Sequence, residues 1–334
     1  MPDDNPSAGS AAGTVLEVRD LSVSYFMDRG TTLAVDRVSL DLAPREFLGI
    51  VGESGCGKST LLFAIAQLLA PPAEITSGSV VFKGRNMVGL TDKEMSTVRW
   101  RDLSVVMQSA MNALNPVKSI GAQFSDAMRA HGASKGEITE RSAEVLKMVG
   151  IDPVHLKSYP HQLSGGMRQR SMIAMAMLFT PDLVIMDEPT SALDVVAQRS
   201  LMVQIKELQE QLGFAIIFVT HDMSLVSHFS DRLMVMYGGV VAEFGATRQV
   251  FDAPLHPYSI GLLEAFPSIR GPRVPLTGIP GSPPNLASIP PGCRFAPRCP
   301  KVMARCEVEP PELYQVDGTL VRCFLHDGGG PRDD

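Results

Sequence analysis

The sequence predicts an α/β fold in which a mostly parallel β-sheet is covered by helices. Short apolar segments alternate with longer segments of helical periodicity, an order that is typical of parallel sheets. Four of the short segments are apolar on both faces, as buried parallel strands are. They run from Phe47 to Val51, Ser104 to Met107, Leu183 to Met186 and Ala215 to Val219. Because ligands bind at the carboxyl edge of open α/β sheets, we expect a ligand site where these strands end.

The composition is that of a globular protein without a membrane span. The chain has 334 residues, 45% of them hydrophobic, and a formal net charge of −6 that argues against nucleic acid as the main partner. Its longest apolar run, about Met172 to Phe179, is far shorter than the ~20 residues of a membrane helix. The first 13 residues lack the pattern of a signal peptide. We therefore expect a disordered tail at 1–13 and a cytoplasmic protein.

The other sequence patterns predict a main domain that is followed by a C-terminal extension. Helical periodicity from Ala197 to Leu212 predicts a surface helix on the sheet, and helical patterns from about residue 112 to 177 predict an inserted helical subdomain. Eight prolines between Pro267 and Pro291 predict an extended connector. The expected division is a main domain at 14–265 and a C-terminal extension at 266–334.

A glycine-rich loop follows the first apolar strand. Residues 52–59 read G-x-x-x-x-G-K-S, the pattern of a phosphate loop. Glycines let backbone N–H groups approach phosphates, and the next helix directs its positive end at them. We expect Lys58 to contact the β- and γ-phosphates and Ser59 to bind Mg²⁺. The predicted nucleotide-binding residues of this loop are Gly52, Glu53, Ser54, Gly55, Cys56, Gly57, Lys58, Ser59 and Thr60.

Polar residues end the other three apolar strands. Asp187 suits the Mg²⁺ shell, and Glu188 is placed to orient and deprotonate an attacking water. Gln108 and His221 would each be an ordinary polar cap if they stood alone. Together with Lys58 and Glu188 they predict a ring of catalytic residues around a γ-phosphate.

A second glycine turn precedes a helical segment. Ser164, Gly165 and Gly166 stand directly before it, and backbone amides at a helix start form an anion site. A plain turn into a helix is the alternative if this motif is taken by itself.

These motifs together resemble an ABC-type ATPase subunit. The matching residues are the Walker A loop at 52–59, the Q-loop Gln108, the signature at 163–167, the Walker B pair Asp187 and Glu188, the D-loop with Asp194, the switch residue His221 and, as the adenine-stacking aromatic, Tyr25. The resemblance implies a RecA-like nucleotide-binding domain, mostly parallel, with antiparallel β and helical subdomains. It also implies that Ser59, Gln108 and Asp187 bind Mg²⁺. In that family Ser164 and Gly166 reach ATP held by the other subunit, so that ATP joins the two.

Four cysteines crowd the C-terminal extension. Cys293, Cys299, Cys306 and Cys323 have the spacing C-x5-C-x6-C-x16-C, and in a reducing compartment such a cluster suggests a metal. Zinc and a [4Fe–4S] cluster both accept four cysteines, although zinc sites usually show tighter pairs. The surrounding segment resembles the extension of the oligopeptide/dipeptide importer ATPases, which implies a [4Fe–4S] cluster.

The resemblance implies a motor that couples ATP hydrolysis to import of di- or oligopeptides. Its expected partners are a second ABC ATPase subunit, identical or related, two transmembrane permease subunits and, indirectly, an extracytoplasmic solute-binding protein. The expected location is peripheral, on the cytoplasmic face of the membrane. The same role in oligosaccharide or nickel uptake, a soluble ABC ATPase and a redox-sensing iron–sulfur protein are the alternatives.

Overall fold

The computed structural model describes residues 13–28, 30–108, 113–191, 193–265 and 278–328. Nearly all of the predicted tail and the first half of the predicted connector lie outside these residues. The strands are β1 (Leu16–Met27), β2 (Gly30–Leu42), β3 (Phe47–Val51), β4 (Ala73–Phe82), β5 (Arg85–Asn86), β6 (Leu103–Val106), β7 (Leu183–Asp187), β8 (Ala215–Val219), β9 (Arg232–Tyr237), β10 (Val240–Ala246), β11 (Tyr314–Val316) and β12 (Thr319–Val321).

The helices of the described residues lie between these strands. They are α1 (Lys58–Ile65), α2 (Asp92–Met95), α3 (Ile120–Ala130), α4 (Lys135–Met148), α5 (Gly165–Ala176), α6 (Val195–Leu212), α7 (Met223–Phe229), α8 (Thr247–Asp252), α9 (Pro257–Glu264) and α10 (Ala304–Val308). None of these helices combines the length and apolar character that a membrane crossing requires.

The larger sheet has the strand order β11-β12-β10-β9-β3-β8-β7-β6. The five strands β9, β3, β8, β7 and β6 are parallel to one another, and β3, β7 and β8 are buried along their whole length. A strand buried on both faces must be apolar throughout, which is why these segments were visible in the sequence. The predicted mostly parallel α/β fold is confirmed.

A second, antiparallel sheet has the order β2-β1-β4-β5. Its inner face and one face of the large sheet share a hydrophobic core in which Val23, Leu40, Leu61 and Ile217 are fully buried. This sheet is the antiparallel β subdomain that the family resemblance implies, and it places β1 and β2 beside the start of α1.

The helical segment lies between β6 and β7, where the sequence predicted an insertion. Ser119, Ser134 and Ser164 cap α3, α4 and α5, each accepting a hydrogen bond from a backbone N–H of the first turn. The apolar faces of these helices, with Phe124 and Val145, join the core on the other face of the large sheet.

The C-terminal extension continues the large sheet. The β11–β12 hairpin pairs with β10 in antiparallel register, with Glu243 opposite Val321 and Phe244 opposite Leu320. Residues 278–291, which belong to the proline-rich connector, form neither helix nor strand. The extension is therefore built onto the edge of the main sheet.

Candidate functional site

The Walker A loop runs from the end of β3 to the start of α1 and requires glycine at two positions. Gly57 caps α1 with φ +99°, and a Cβ there would lie 2.3 Å from the carbonyl oxygen of Ala34. Gly52 has φ +151°, and a Cβ there would lie 2.2 Å from the carbonyl oxygen of Met236. Any side chain at either position would strain the backbone and collide with a neighbouring strand, β2 or β9.

The side chain of Lys58 is hydrogen-bonded to the backbone of the Walker A loop. The buried ammonium group donates to the carbonyl oxygens of Gly52 at 2.8 Å and Glu53 at 3.0 Å. These bonds hold the positive charge over the loop, next to the N-terminus of α1. Both features favour a bound phosphate.

Asp187 has the properties of a cation ligand. It ends β7, is only 3% exposed, and its Oδ1 atom is buried without a hydrogen-bond partner among the described residues. Burial raises the pKa of Asp187, a hydrogen bond with the Ser59 side chain opposes the rise, and the charge of Glu188 adds to it. A buried, unpaired carboxylate oxygen beside a hydroxyl fits a hard divalent cation such as Mg²⁺. The residues present therefore suit the predicted metal.

Glu188 lies between two of the other predicted catalytic side chains, Gln108 and His221. Gln108 Nε2 donates to Glu188 Oε2 at 2.7 Å, and His221 Nδ1 lies 3.5 Å from Glu188 Oε1. The backbone of Glu188 has φ +45°, a left-handed conformation that costs free energy in a non-glycine residue. Its N–H donates to Val219 and its carbonyl accepts from Ser191, which hold that conformation.

A cleft of about 330 Å³ lies between the Walker A loop and the side chains of Gln108 and Glu188. It is lined by Lys58 and Ser59, by Gln108 and Glu188, and by Tyr25, whose hydroxyl lies 3.1 Å from Thr60 Oγ1 at the start of α1. A second cleft of about 310 Å³ begins on the other side of Glu188 and includes His221. The predicted Walker A, Walker B, Q-loop and switch residues thus meet at one edge of the sheet.

Three residues of the first cleft were missed by sequence reasoning. Thr32 and Ala34 come from β2, and Leu286 comes from the C-terminal extension. None belongs to a motif, so only the folded chain could identify them.

The second glycine loop, with Ser164 and Gly166, lies outside the Walker A cleft of the folded chain. Ser164 accepts a hydrogen bond from the Met167 N–H at 3.2 Å, and with Gly166 it lines a separate cleft of about 350 Å³. Asp194, predicted as a D-loop residue, accepts from the Ala197 N–H at 2.9 Å and so caps α6. Within one chain, neither Ser164 nor Asp194 lines the Walker A cleft.

The four C-terminal cysteines line one small cavity of about 10 Å³. Burial is the main cause that raises the pKa of the Cys293, Cys299 and Cys323 thiols, that of Cys323 to about 11, and the neighbouring cysteines raise these pKa values further. Nevertheless, no group of three or more His, Cys, Asp or Glu side chains in the described part of the chain is arranged to hold a metal ion. The four cysteines converge on one cavity, as their spacing predicted, but they are not arranged as a metal site in this structure.

The fold and the edge cluster define a nucleotide-binding ATPase of the ATP-binding cassette class. Residues 35–191 match the family described as ABC transporter, and residues 242–306 match the family described as oligopeptide/dipeptide transporter, C-terminal region. Within the same cassette, residues 156–227 also match the family described as AAA domain, putative AbiEii toxin, Type IV TA system. The chain belongs to the ABC transporter ATP-binding proteins of the oligopeptide/dipeptide type.

Similar proteins cover nearly the whole chain. It is 40% identical over 321 residues to the dipeptide transport ATP-binding protein DppD of Caldanaerobacter subterraneus subsp. tengcongensis, covering 95% of this chain and 98% of that protein. It is 43% identical over 320 residues to the oligopeptide transport ATP-binding protein OppD of Salmonella typhimurium, covering 95% of each. The dimeric ATP-binding cassette MJ0796, solved with ADP and Pi, aligns with a TM-score of 0.63 and 30% identity over 70% of this chain and 99% of that one.

Proposed function

We propose that the chain is the ATP-hydrolysing motor subunit of a membrane importer for dipeptides or oligopeptides. The placement of Glu188 between Gln108 and His221, next to the Walker A cleft, carries the ATPase part of this proposal. The peptide part is supported by the match of residues 242–306 and by relatives described as dipeptide and oligopeptide transport proteins. These names favour peptides over the oligosaccharide and nickel alternatives.

In the proposed reaction, the Walker A N–H groups and Lys58 bind the phosphates of ATP, and Tyr25 lies beside the base. Ser59, Asp187 and Gln108 would hold Mg²⁺, which neutralises phosphate charge when bound. Glu188 accepts a proton from the attacking water. Gln108 and His221 fix the position of the Glu188 carboxylate.

The separate cleft of Ser164 and Gly166 supports a nucleotide shared between two subunits. A serine-capped helix start with open backbone N–H groups is a suitable anion site, and among the described residues none lines both this cleft and the Walker A cleft. A second cassette, identical or related, would therefore close over ATP bound at Lys58. The main domain at 14–265 would bind two permease subunits at the cytoplasmic face of the membrane, and a solute-binding protein would act indirectly.

The test of this function is Glu188→Gln. Turnover should fall at least about a hundredfold because the general base is lost, whereas ATP should still bind and should accumulate subunit pairs in size-exclusion chromatography. The control is Glu207→Gln on the exposed face of α6. If Glu188→Gln hydrolyses ATP at the wild-type rate, the proposed mechanism is wrong.

A second experiment tests the substrate class. It compares the ATP turnover of the complete transporter in the presence of peptide, oligosaccharide and Ni²⁺, and peptide should stimulate turnover most.

We also propose that Cys293, Cys299, Cys306 and Cys323 hold a [4Fe–4S] cluster. The proposal is supported by the convergence of the four thiols on one cavity, which must widen to accept a cluster. Protein purified without oxygen should contain about four iron and four sulfide per chain. Cys323→Ser should lose both, and Cys56→Ser, outside the extension, should keep them. Zinc without sulfide would contradict the proposal.

A further inference from the structure

Arg298 of the C-terminal extension contacts the Walker A loop directly. It precedes Cys299, yet its guanidinium reaches Glu53, the residue after Gly52, across 245 positions of sequence. Nη1 donates to Glu53 Oε2 at 2.7 Å and Nη2 donates to Oε1 at 3.0 Å. Two parallel charge-assisted bonds between an arginine and a carboxylate fix direction as well as distance.

Arg298 is itself held rigidly. Its side chain is only 5% exposed, and it also donates to the carbonyl oxygens of Pro280 at 2.8 Å and Ile279 at 3.3 Å and to the Tyr237 hydroxyl at 3.2 Å. The hydrogen bonds to Glu53 are the main cause that raises the pKa of Arg298. These bonds fix the Arg298 guanidinium relative to the extension. They therefore also fix the position of the Glu53 carboxylate that Arg298 binds.

Glu53 connects this anchor to the phosphate-binding groups. Its N–H donates to the Tyr258 hydroxyl at 2.9 Å, and its carbonyl oxygen accepts from Lys58 Nζ at 3.0 Å. The side chain, the N–H and the carbonyl of Glu53 are therefore all bonded, two of them to residues outside the cassette motifs. A loop that is already ordered loses less conformational entropy when phosphate binds.

The extension also makes contacts near the β2 residues of the cleft. Arg294, which follows Cys293, donates to the Gly238 carbonyl and to the Asp36 carboxylate, two residues after the cleft residue Ala34. Leu286 lines the same cleft. The extension therefore lines the cleft through Leu286 and contacts residues next to it through Arg294 and Arg298.

We infer that the C-terminal extension completes the ATP site of its own chain, with Arg298 as the residue that positions the Walker A loop through Glu53. The inference depends on the proposed ATPase function. It concerns nucleotide affinity within one chain, and it holds whether or not the cysteines carry a metal.

The experiment is a double-mutant cycle with Arg298→Gln, Glu53→Gln and the combined variant. The readouts are the Kd for the fluorescent nucleotide TNP-ATP, the thermal midpoint without nucleotide, and KM and kcat for ATP. The matched control is Arg305→Gln, which also precedes a cysteine of the extension but pairs with Glu309 at 2.9 Å and Asp327 at 2.7 Å.

Each single variant should raise the Kd and KM about tenfold, equivalent to about 1.4 kcal/mol, with a much smaller change in kcat. The combined variant should be no worse than either single one, because both remove the same contact. The control should bind nucleotide as the wild type does.

Wild-type affinity in Arg298→Gln, or single effects that multiply in the combined variant, would overturn the inference. If Arg298→Gln does not fold, Glu53→Gln tests the contact from the loop side, and normal affinity there has the same meaning. Failure of the wild-type chain to bind TNP-ATP would instead refute the proposed function.

Discussion

Gln108 donates a hydrogen bond of 2.7 Å to the carboxylate of Glu188, 80 positions away in the sequence. The contact exists because β6 and β7 are neighbouring parallel strands whose carboxyl ends lie side by side. It fixes one oxygen of the proposed base, and His221 faces the other at 3.5 Å. The sensitivity of this cluster to single substitutions is therefore a direct test of its role.

Gln108→Ala should lower kcat about tenfold, because a hydrogen bond to a charged group contributes about 1.5–3 kcal/mol and part of it is replaced by water. The Kd for ATP should change less, since Lys58 and the Walker A N–H groups remain. Single-turnover hydrolysis separates the two effects. Gln249→Ala serves as the control, because it removes a 2.7 Å bond to the Asp317 carbonyl. Equal losses in both variants would show that Gln108 has no special role.

Ser164→Ala should reduce turnover of the paired subunits but leave nucleotide binding by the single chain unchanged. Ser164 lies outside the Walker A cleft of its own chain, so it can contact bound ATP only from a second subunit. Loss of a helix cap also costs about 1 kcal/mol of stability. Ser119→Ala, which removes the cap of α3, controls for that cost. Weaker binding of ATP by the isolated Ser164→Ala chain would contradict the prediction.

Leu286→Ala should raise the Kd for ATP several-fold, because the half-buried side chain lines the cleft and its removal exposes apolar surface of the bound nucleotide. Isothermal titration with ATP in a hydrolysis-dead Glu188→Gln background measures the effect. Leu325→Ala is the control, since Leu325 is exposed and lies in the same extension. An unchanged Kd would remove Leu286 from the site.

Stability should fall on mild acidification because of His256. Burial lowers the pKa of His256 to about 3, against an ordinary value near 6.5, and Arg322 and His326 lie nearby. Between these values the unfolded chain binds a proton that the folded chain excludes, so the free energy of unfolding falls as pH falls, by up to about 1.4 kcal/mol per pH unit.

His256→Asn tests this prediction. Asparagine can keep the N-cap bond that His256 Nδ1 now accepts from the Tyr258 N–H at 2.9 Å, and it does not titrate. Urea denaturation at pH 7.5, 6.5 and 5.5 should show a shallower loss of stability in the variant. Parallel pH profiles for the two proteins would assign the acid sensitivity to other groups.

The strands and loops with local signals could be predicted from the amino-acid sequence. β3 and β8 were predicted with their observed ends, because a short strand buried on both faces is a continuous apolar run. The Walker A loop was predicted because glycine, lysine and serine at fixed spacing encode its backbone and its charges. The proximity of Gln108 and Glu188, which follow β6 and β7, was predicted because the carboxyl ends of parallel strands lie at one edge of the sheet.

Contacts between segments that are distant in the sequence became known from the folded chain. Arg298 and Leu286 belong to no nucleotide-binding motif, and folding of the extension against the cassette brings Arg298 to Glu53 and Leu286 to the cleft. Short edge strands and arginine–carboxylate pairs leave no periodic pattern in the sequence. The interactions that stabilise them are made with residues that are distant in the chain and become neighbours only on folding. The same holds for the four cysteines: their spacing predicted a shared site, but the packing around them set the size of the cavity.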